Sequence, residues 1–151
     1  MTSSINKHFN VRLEGARLLA KMSSCPRGQV GAVIFNPHNY VIIADGYNGP
    51  PRKGGNLCGG YVCSRTCPSG TEIQIGCHHA EMNAICNAAR EGARTLGMAM
   101  AITCEPCLLC AKLIHHAGIE LVIYDAKEYS ADGVEYLKSR GVELLSTRPE
   151  A

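Results

Sequence analysis

His79, Glu81, Cys107 and Cys110 are the residues whose types and spacing carry the clearest chemistry in this chain. Cysteines at i and i+3 of a helix project from one face, so Cys107 and Cys110 can hold a single ion, and His79 can complete a set of three ligands. Two thiolates and a neutral imidazole offset the charge of Zn2+ and leave the fourth tetrahedral position open to water, the pattern of a catalytic rather than a structural zinc. Water at such a position is acidified toward a pKa of about 7. Glu81 lies too close to His79 in sequence to be a comfortable fourth ligand, but its carboxylate can take the water's proton and return it to a substrate as general acid. Taken alone, the CxxC is equally compatible with a structural zinc corner, an iron–sulfur ligand pair or a redox dithiol. A zinc ribbon wants a second CxxC, and the cysteines from Cys58 to Cys67 are instead spaced C-x4-C and C-x3-C.

The elements that must position these residues follow from periodicity. Apolar residues at Phe9, Leu13, Ala16 and Ala20 predict a helix over Phe9–Met22. Val30–Phe35 and Tyr40–Ala44 read as strands joined by the turn formers Asn36-Pro37-His38-Asn39, a hairpin. Gly46 to Cys77 is rich in Gly, Pro, Ser and Cys without a sustained period, and so long an irregular segment needs something to tie it down, for which a metal is expected. The second half alternates: helix His79–Glu91 stopped by Gly92, strand Met98–Thr103, helix Cys107–Ala117 stopped by Gly118, strand Leu121–Tyr124, helix from a Ser130 cap to Arg140 with Gly141 after it, and strand Val142–Leu145. Such alternation with short connections predicts an α/β fold, a partly parallel sheet covered by helices on both faces. Pro106 suits a first helical turn because it has no amide hydrogen.

Composition narrows the function classes. The 151 residues match one domain, read as spanning 1–151, and a net charge of +2 lacks the basic excess of a non-specific nucleic-acid binder. No apolar run reaches the roughly 18 residues of a membrane span. The start, MTSSINKHFN, lacks the apolar core of a signal peptide, so a cytoplasmic protein with no membrane partner is expected. Nine cysteines in such a compartment argue for metal binding or catalysis rather than disulfides.

At the level of motifs the chain resembles the zinc-dependent cytidine and deoxycytidylate deaminases, and within them the deoxycytidylate (dCMP) deaminases of phage or bacterial type. The resemblance is carried by Val30-Gly31-Ala32-Val33-Ile34, Gly46-Tyr47-Asn48-Gly49-Pro50-Pro51-Arg52, His79-Ala80-Glu81-Met82-Asn83-Ala84-Ile85 and Pro106-Cys107-Leu108-Leu109-Cys110 with the residues that follow. HxE followed by PCxxC is the signature of zinc deaminases. The resemblance implies a three-layer αβα sandwich on a five-stranded mixed sheet, and hydrolysis of dCMP to dUMP and ammonia, feeding thymidylate synthesis. It implies Glu81 as the proton carrier, Asn48 at the sugar and Tyr129 near the nucleotide. Arg90, further along the catalytic helix, can serve the substrate phosphate or a subunit contact, or be simply a surface arginine. It further implies a homo-oligomer, a hexamer, activated by dCTP with Mg2+ and inhibited by dTTP through the loop holding Tyr47, Asn48, Gly49, Arg52 and Lys53. A Gly-rich turn can cradle phosphates with its amides, and Arg52 and Lys53 add positive charge, although Lys53 departs from the glycine that usually follows the arginine. For a phage-encoded chain the expected compartment is the host cytoplasm.

Relatives of this kind hold a structural zinc with residues at positions like Cys25, Cys58 and Cys77. A second Zn2+ held by Cys25, Cys58, Cys63 and Cys77, with Cys67 as the alternate fourth ligand, would fasten the long loop to the first strand and to the catalytic helix. Cys86 and Cys104 read as small buried hydrophobes, and His78, His115 and His116 as solvated side chains. Three rivals stand beside this reading. A tRNA adenosine deaminase shares HAE and EPCLLC but wants a basic stripe, and a guanine or free-cytidine deaminase has less need of the Arg52-Lys53 loop. The third is a non-catalytic zinc module, which Glu81 argues against.

Overall fold

The computed structural model describes residues 5–25, 27–50 and 77–147. Helix α1 spans Lys7–Ala20, earlier than the expected bounds. It starts there because the Asn6 side chain accepts a hydrogen bond from the Phe9 amide at 2.8 Å and caps the helix. Strand β1, Gly31–Phe35, pairs antiparallel with β2, Ile42–Tyr47. Helix α2, Ala80–Arg90, strand β3, Ala99–Ile102, helix α3, Leu108–His116, strand β4, Leu121–Tyr124, helix α4, Asp132–Ser139, and strand β5, Glu143–Ser146, complete the order.

The sheet runs β2-β1-β3-β4-β5, antiparallel across β2-β1-β3 and parallel across β3-β4-β5. Strand alternation sorts the side chains into two layers. Val33, Phe35, Ala99, Ala101 and Ile123 face Leu13 and Ala16 of α1, whereas Ala32, Ile34, Met100, Ile102 and Val122 face Ala84 of α2, Ile114 of α3 and Leu137 of α4. Parallel strands laid down in one direction by right-handed crossovers put α3 and α4 on the same face. The result is the expected three-layer αβα sandwich, with α1 alone on one side among the described elements.

Two further differences from the sequence reading have identifiable contacts behind them. The turn after β1 is longer than expected: Tyr40 takes φ +66° and donates its amide to the Asn36 carbonyl, while the Asn36 side chain accepts from the His38 amide. Strand β2 therefore starts later and runs on through Asp45 to Gly46 and Tyr47, past the expected end at Ala44 and into the segment expected to be irregular. Gly46 is required there because a Cβ would lie 2.6 Å from the Ala84 nitrogen and 2.8 Å from the Ala80 carbonyl oxygen, where α2 crosses the strand. Ser130 is not the N-cap of α4. Ala131 holds that position, and the Ser130 hydroxyl accepts from the Asp132 amide at 3.3 Å instead.

Gly133, on α4, makes the tightest approach relevant to the site. A Cβ there would sit 1.9 Å from the Pro106 carbonyl oxygen and 3.0 Å from the Cys107 carbonyl carbon. These are backbone atoms and cannot swing aside, so Gly133→Ala is expected to destabilise the fold by about 1–3 kcal/mol, read from its urea midpoint against that of the unsubstituted protein. An unchanged midpoint would show that the α4 contact on the Cys107 turn is looser than described.

Candidate active site

Two helix starts meet at the site. His79 is the N-cap of α2 and Cys107 the N-cap of α3, both in extended backbone conformation. Cys107 is therefore not in the helix, and Pro106 precedes the cap rather than occupying the first turn. The pair is still brought to one side, because an N-cap side chain turns back toward the third residue of its helix. The Cys107 sulfur accepts from the Cys110 amide at 3.5 Å. His79 Nδ1 lies 3.5 Å from the Cys107 sulfur and 3.3 Å from the Cys110 sulfur.

His79, Cys107 and Cys110 thus place three donor atoms within 4.8 Å of one another. Tetrahedral zinc, with bonds of about 2.3 Å to sulfur and about 2.0 Å to nitrogen, needs nitrogen and sulfur about 3.6 Å apart, which these spacings approach. The donor set fits zinc. The hydrogen bond with Cys110 holds the Cys107 thiol well below the ordinary thiol range, with His79 adding to it against the effect of burial. Cys110 is pushed up by its hydrogen bond with Cys107 and by burial, so the pair retains a proton that a soft dication would displace.

Glu81 follows Ala80 in the first turn of α2 and is 3% exposed. Burial pushes its carboxyl up from the usual carboxylate range, opposed by its own backbone amide and by His79. A carboxyl held in this way beside three ligating atoms is suited to exchange protons rather than merely to carry charge.

The edge of the site is formed by the end of β2. Gly49 and His78 exchange two backbone hydrogen bonds, at 3.1 and 2.8 Å, which lays residues 47–49 beside the His79 cap. The Asn83 side chain donates to the Tyr47 carbonyl at 2.8 Å and stitches this edge to α2. Asn48 is buried. Its side chain accepts from the Val30 amide and donates to the Gly28 carbonyl, both at 2.8 Å, so it fixes the approach to β1. Tyr47 is partly exposed and Tyr129 is 72% exposed, on the loop between β4 and α4. Arg90 is the last residue of α2, more than two turns along the helix from Glu81. There it lines a separate cleft with Ile42, Asp45 and Asn87.

Arg52, Lys53, Cys58, Cys63 and Cys67 lie outside the described residues. Cys25 and Cys77 are each half-buried. Cys104 is buried, and burial pushes its thiol up, but Cys86 is exposed, contrary to expectation, because it falls on the outer face of α2. His78, His115 and His116 are exposed, and His115 stands edge-on to Tyr136.

Sequence reasoning missed three polar side chains around the site. Thr103 is buried and accepts from the Gly31 amide at 3.1 Å. Asp125 takes a two-pronged contact from Arg17 at 2.8 and 2.6 Å. Glu105, beside Pro106, accepts from the amides of Lys127 and Glu128. No local pattern marks the Arg17–Asp125 pair, whereas Glu105 was visible within EPCLLC.

A mixed αβα sandwich that gathers a histidine, a buried glutamate and two cysteines at two helix starts defines the zinc-dependent deaminase class. The chain belongs to the family described as the cytidine and deoxycytidylate deaminase zinc-binding region, whose model matches residues 9–126. Deoxycytidylate deaminase of Schizosaccharomyces pombe is 36% identical, over 91% of this chain and 43% of that protein. Deoxycytidylate deaminase of Enterobacteria phage T4 is 31% identical, over 89% of this chain and 86% of that one. The crystal structure of dCMP deaminase from the cyanophage S-TIM5 in complex with dCMP and dUMP superposes with a TM-score of 0.73 at 29% identity, covering 91% of this chain and 95% of that one. The chain spans 43% to 62% of the length of the first cellular relatives it matches. Among the described residues, no helix is long and apolar enough to cross a membrane.

Proposed function

We propose that this chain hydrolyses the amino group of dCMP, giving dUMP and ammonia. The observation that carries the reading is the buried Glu81 in side-chain hydrogen-bond contact with Cys110, one of the three clustered donors His79, Cys107 and Cys110. The names of the relatives, and the dCMP and dUMP in the cyanophage structure, support a pyrimidine deoxynucleotide as substrate.

Zinc held by His79, Cys107 and Cys110 would supply a Lewis acid that acidifies water toward a pKa of about 7 at the open position. Glu81 accepts a proton as water adds to C4 of the cytosine, and delivers it to N3. The same carboxyl then takes the proton of the new C4 hydroxyl and carries it to the exocyclic nitrogen, the C4–N bond breaks, and ammonia leaves as the C4 carbonyl forms. Burial of Glu81 keeps bulk water from competing for these protons. Residues 47–49 are assigned to one wall of the nucleotide site, with Asn48 at the sugar side and Tyr129 on the opposite loop. For Arg90 the subunit-contact role is preferred to the substrate phosphate, given its distance from Glu81 along α2.

The finer assignments belong to the same proposal. Residues 1–151 are read as one deaminase domain working in the cytoplasm as a homo-oligomer, a hexamer. Activation by dCTP with Mg2+ and inhibition by dTTP are assigned to Tyr47, Asn48, Gly49, Arg52 and Lys53. A second Zn2+ is assigned to Cys25, Cys58, Cys63 and Cys77, with Cys67 as alternate. The test follows the loss of cytosine absorbance with zinc-loaded protein on dCMP, alone, with dCTP and Mg2+, and with dTTP, using deoxycytidine as control. Turnover of dCMP but not deoxycytidine is expected, raised by dCTP and suppressed by dTTP. Turnover indifferent to both effectors would remove the regulatory assignment, and equal turnover of deoxycytidine would remove the nucleotide one.

A further inference from the structure

The loop between β4 and α4 is fastened at several points, and one fastening comes from the turn that presents the zinc-ligand cysteines. At its start, Asp125 is held by the Arg17 guanidinium of α1. In its middle, one carboxylate oxygen of Glu105 accepts from the amides of both Lys127 and Glu128, each at 2.9 Å. At its end, the Ser130 hydroxyl accepts from the Asp132 amide, and Gly133 lies against the Pro106 carbonyl. Glu128 adopts φ +62°. An ordinary side chain holds this left-handed conformation only where its surroundings enforce it. The second oxygen of Glu105 is buried and has no hydrogen-bond partner among the described residues, a costly arrangement if stability alone were served.

We propose that Glu105 is a positioning residue, its carboxylate clamping the 127–128 backbone so that the loop carrying Tyr129 keeps one geometry relative to the Cys107 turn. Glu105 is two residues from Cys107, and Tyr129 is the residue after Glu128. A single side chain therefore links the zinc-ligand turn to the loop, and one of its two hydrogen bonds falls on Glu128, the residue in the left-handed conformation. The clamp stands on hydrogen bonds alone, whereas its effect on substrate rests on the dCMP reading above.

The experiment compares Glu105→Ala with Glu105→Gln, whose amide oxygen can still accept both hydrogen bonds. In Glu105→Ala, hydrogen exchange at the Lys127 and Glu128 amides is expected to accelerate at least ~10-fold, with β3 and α3 protection unchanged. Zinc content should stay at the unsubstituted level, and KM for dCMP should rise about 10-fold with kcat within about 3-fold. Glu105→Gln should restore both exchange and KM. Unchanged exchange in Glu105→Ala, a Gln variant as impaired as Ala, or a fall in kcat at constant KM would each overturn the proposal. If Glu105→Ala does not fold, Glu105→Asp withdraws the acceptor by one methylene and is read in the same way. If the unsubstituted protein leaves dCMP untouched, the exchange comparison still decides the clamp, and the failure falls on the substrate reading.

Discussion

Glu81→Ala is expected to lower turnover of dCMP by about 10³- to 10⁴-fold while leaving zinc content and folding close to those of the unsubstituted protein. The magnitude follows from the two proton transfers assigned to one carboxyl, and the retention of zinc from the ligand set, to which Glu81 contributes no atom. Glu81→Gln is the sharper variant, since it keeps the shape of a side chain that is almost wholly buried and removes only its ability to exchange protons. Turnover and metal content measured on the same preparation decide the matter. Activity within about tenfold of the starting protein would assign the proton transfers elsewhere, and loss of zinc would make Glu81 a ligand or a support for one.

Removal of a ligand should give the opposite pattern. Cys110→Ala is expected to lose one equivalent of zinc relative to the starting protein after dialysis against a chelator, to lose detectable turnover, and to keep any zinc assigned to Cys25 and Cys77. A site with two protein ligands left cannot compete with the chelator, and the lost coordination takes the water-activating chemistry with it. The Cys110 sulfur is also buried, so the variant should melt at lower temperature even in its metal-free form. Metal analysis by emission spectroscopy, compared between the two proteins, provides the count. Unaltered zinc and turnover would remove Cys110 from the proposed metal site.

The fold was legible because its signals are local. Helical periodicity and short apolar runs named the helices and strands of the described residues, and the glycines expected to stop helices, Gly92, Gly118 and Gly141, all take positive φ. Errors arose where a contact from elsewhere overrode a local preference. Asp45 and Gly46 are poor strand formers. Yet β2 continues through them because it pairs with β1, Ala32 opposite Gly46, and only glycine lets α2 pass. Cys86 looked apolar and buried, but the face of α2 that meets the sheet is set by Ala80, Ala84 and Ala88.

At the site the division is similar. Residue type and spacing alone determined a candidate set of three soft and borderline donors with a nearby carboxyl, since coordination chemistry restricts which side chains can serve and helix geometry restricts their spacing. Tertiary structure decided what spacing cannot express: that the N-caps of α2 and α3 converge, that Cys107 reaches the cluster as a cap and not from within the helix, and that Glu81 is sealed from water. It also decided that Arg17 meets Asp125 across the length of the chain and that Glu105 grips the loop bearing Tyr129. Those relations depend on which helices the sheet brings side by side, a property of long-range packing that no window of sequence contains.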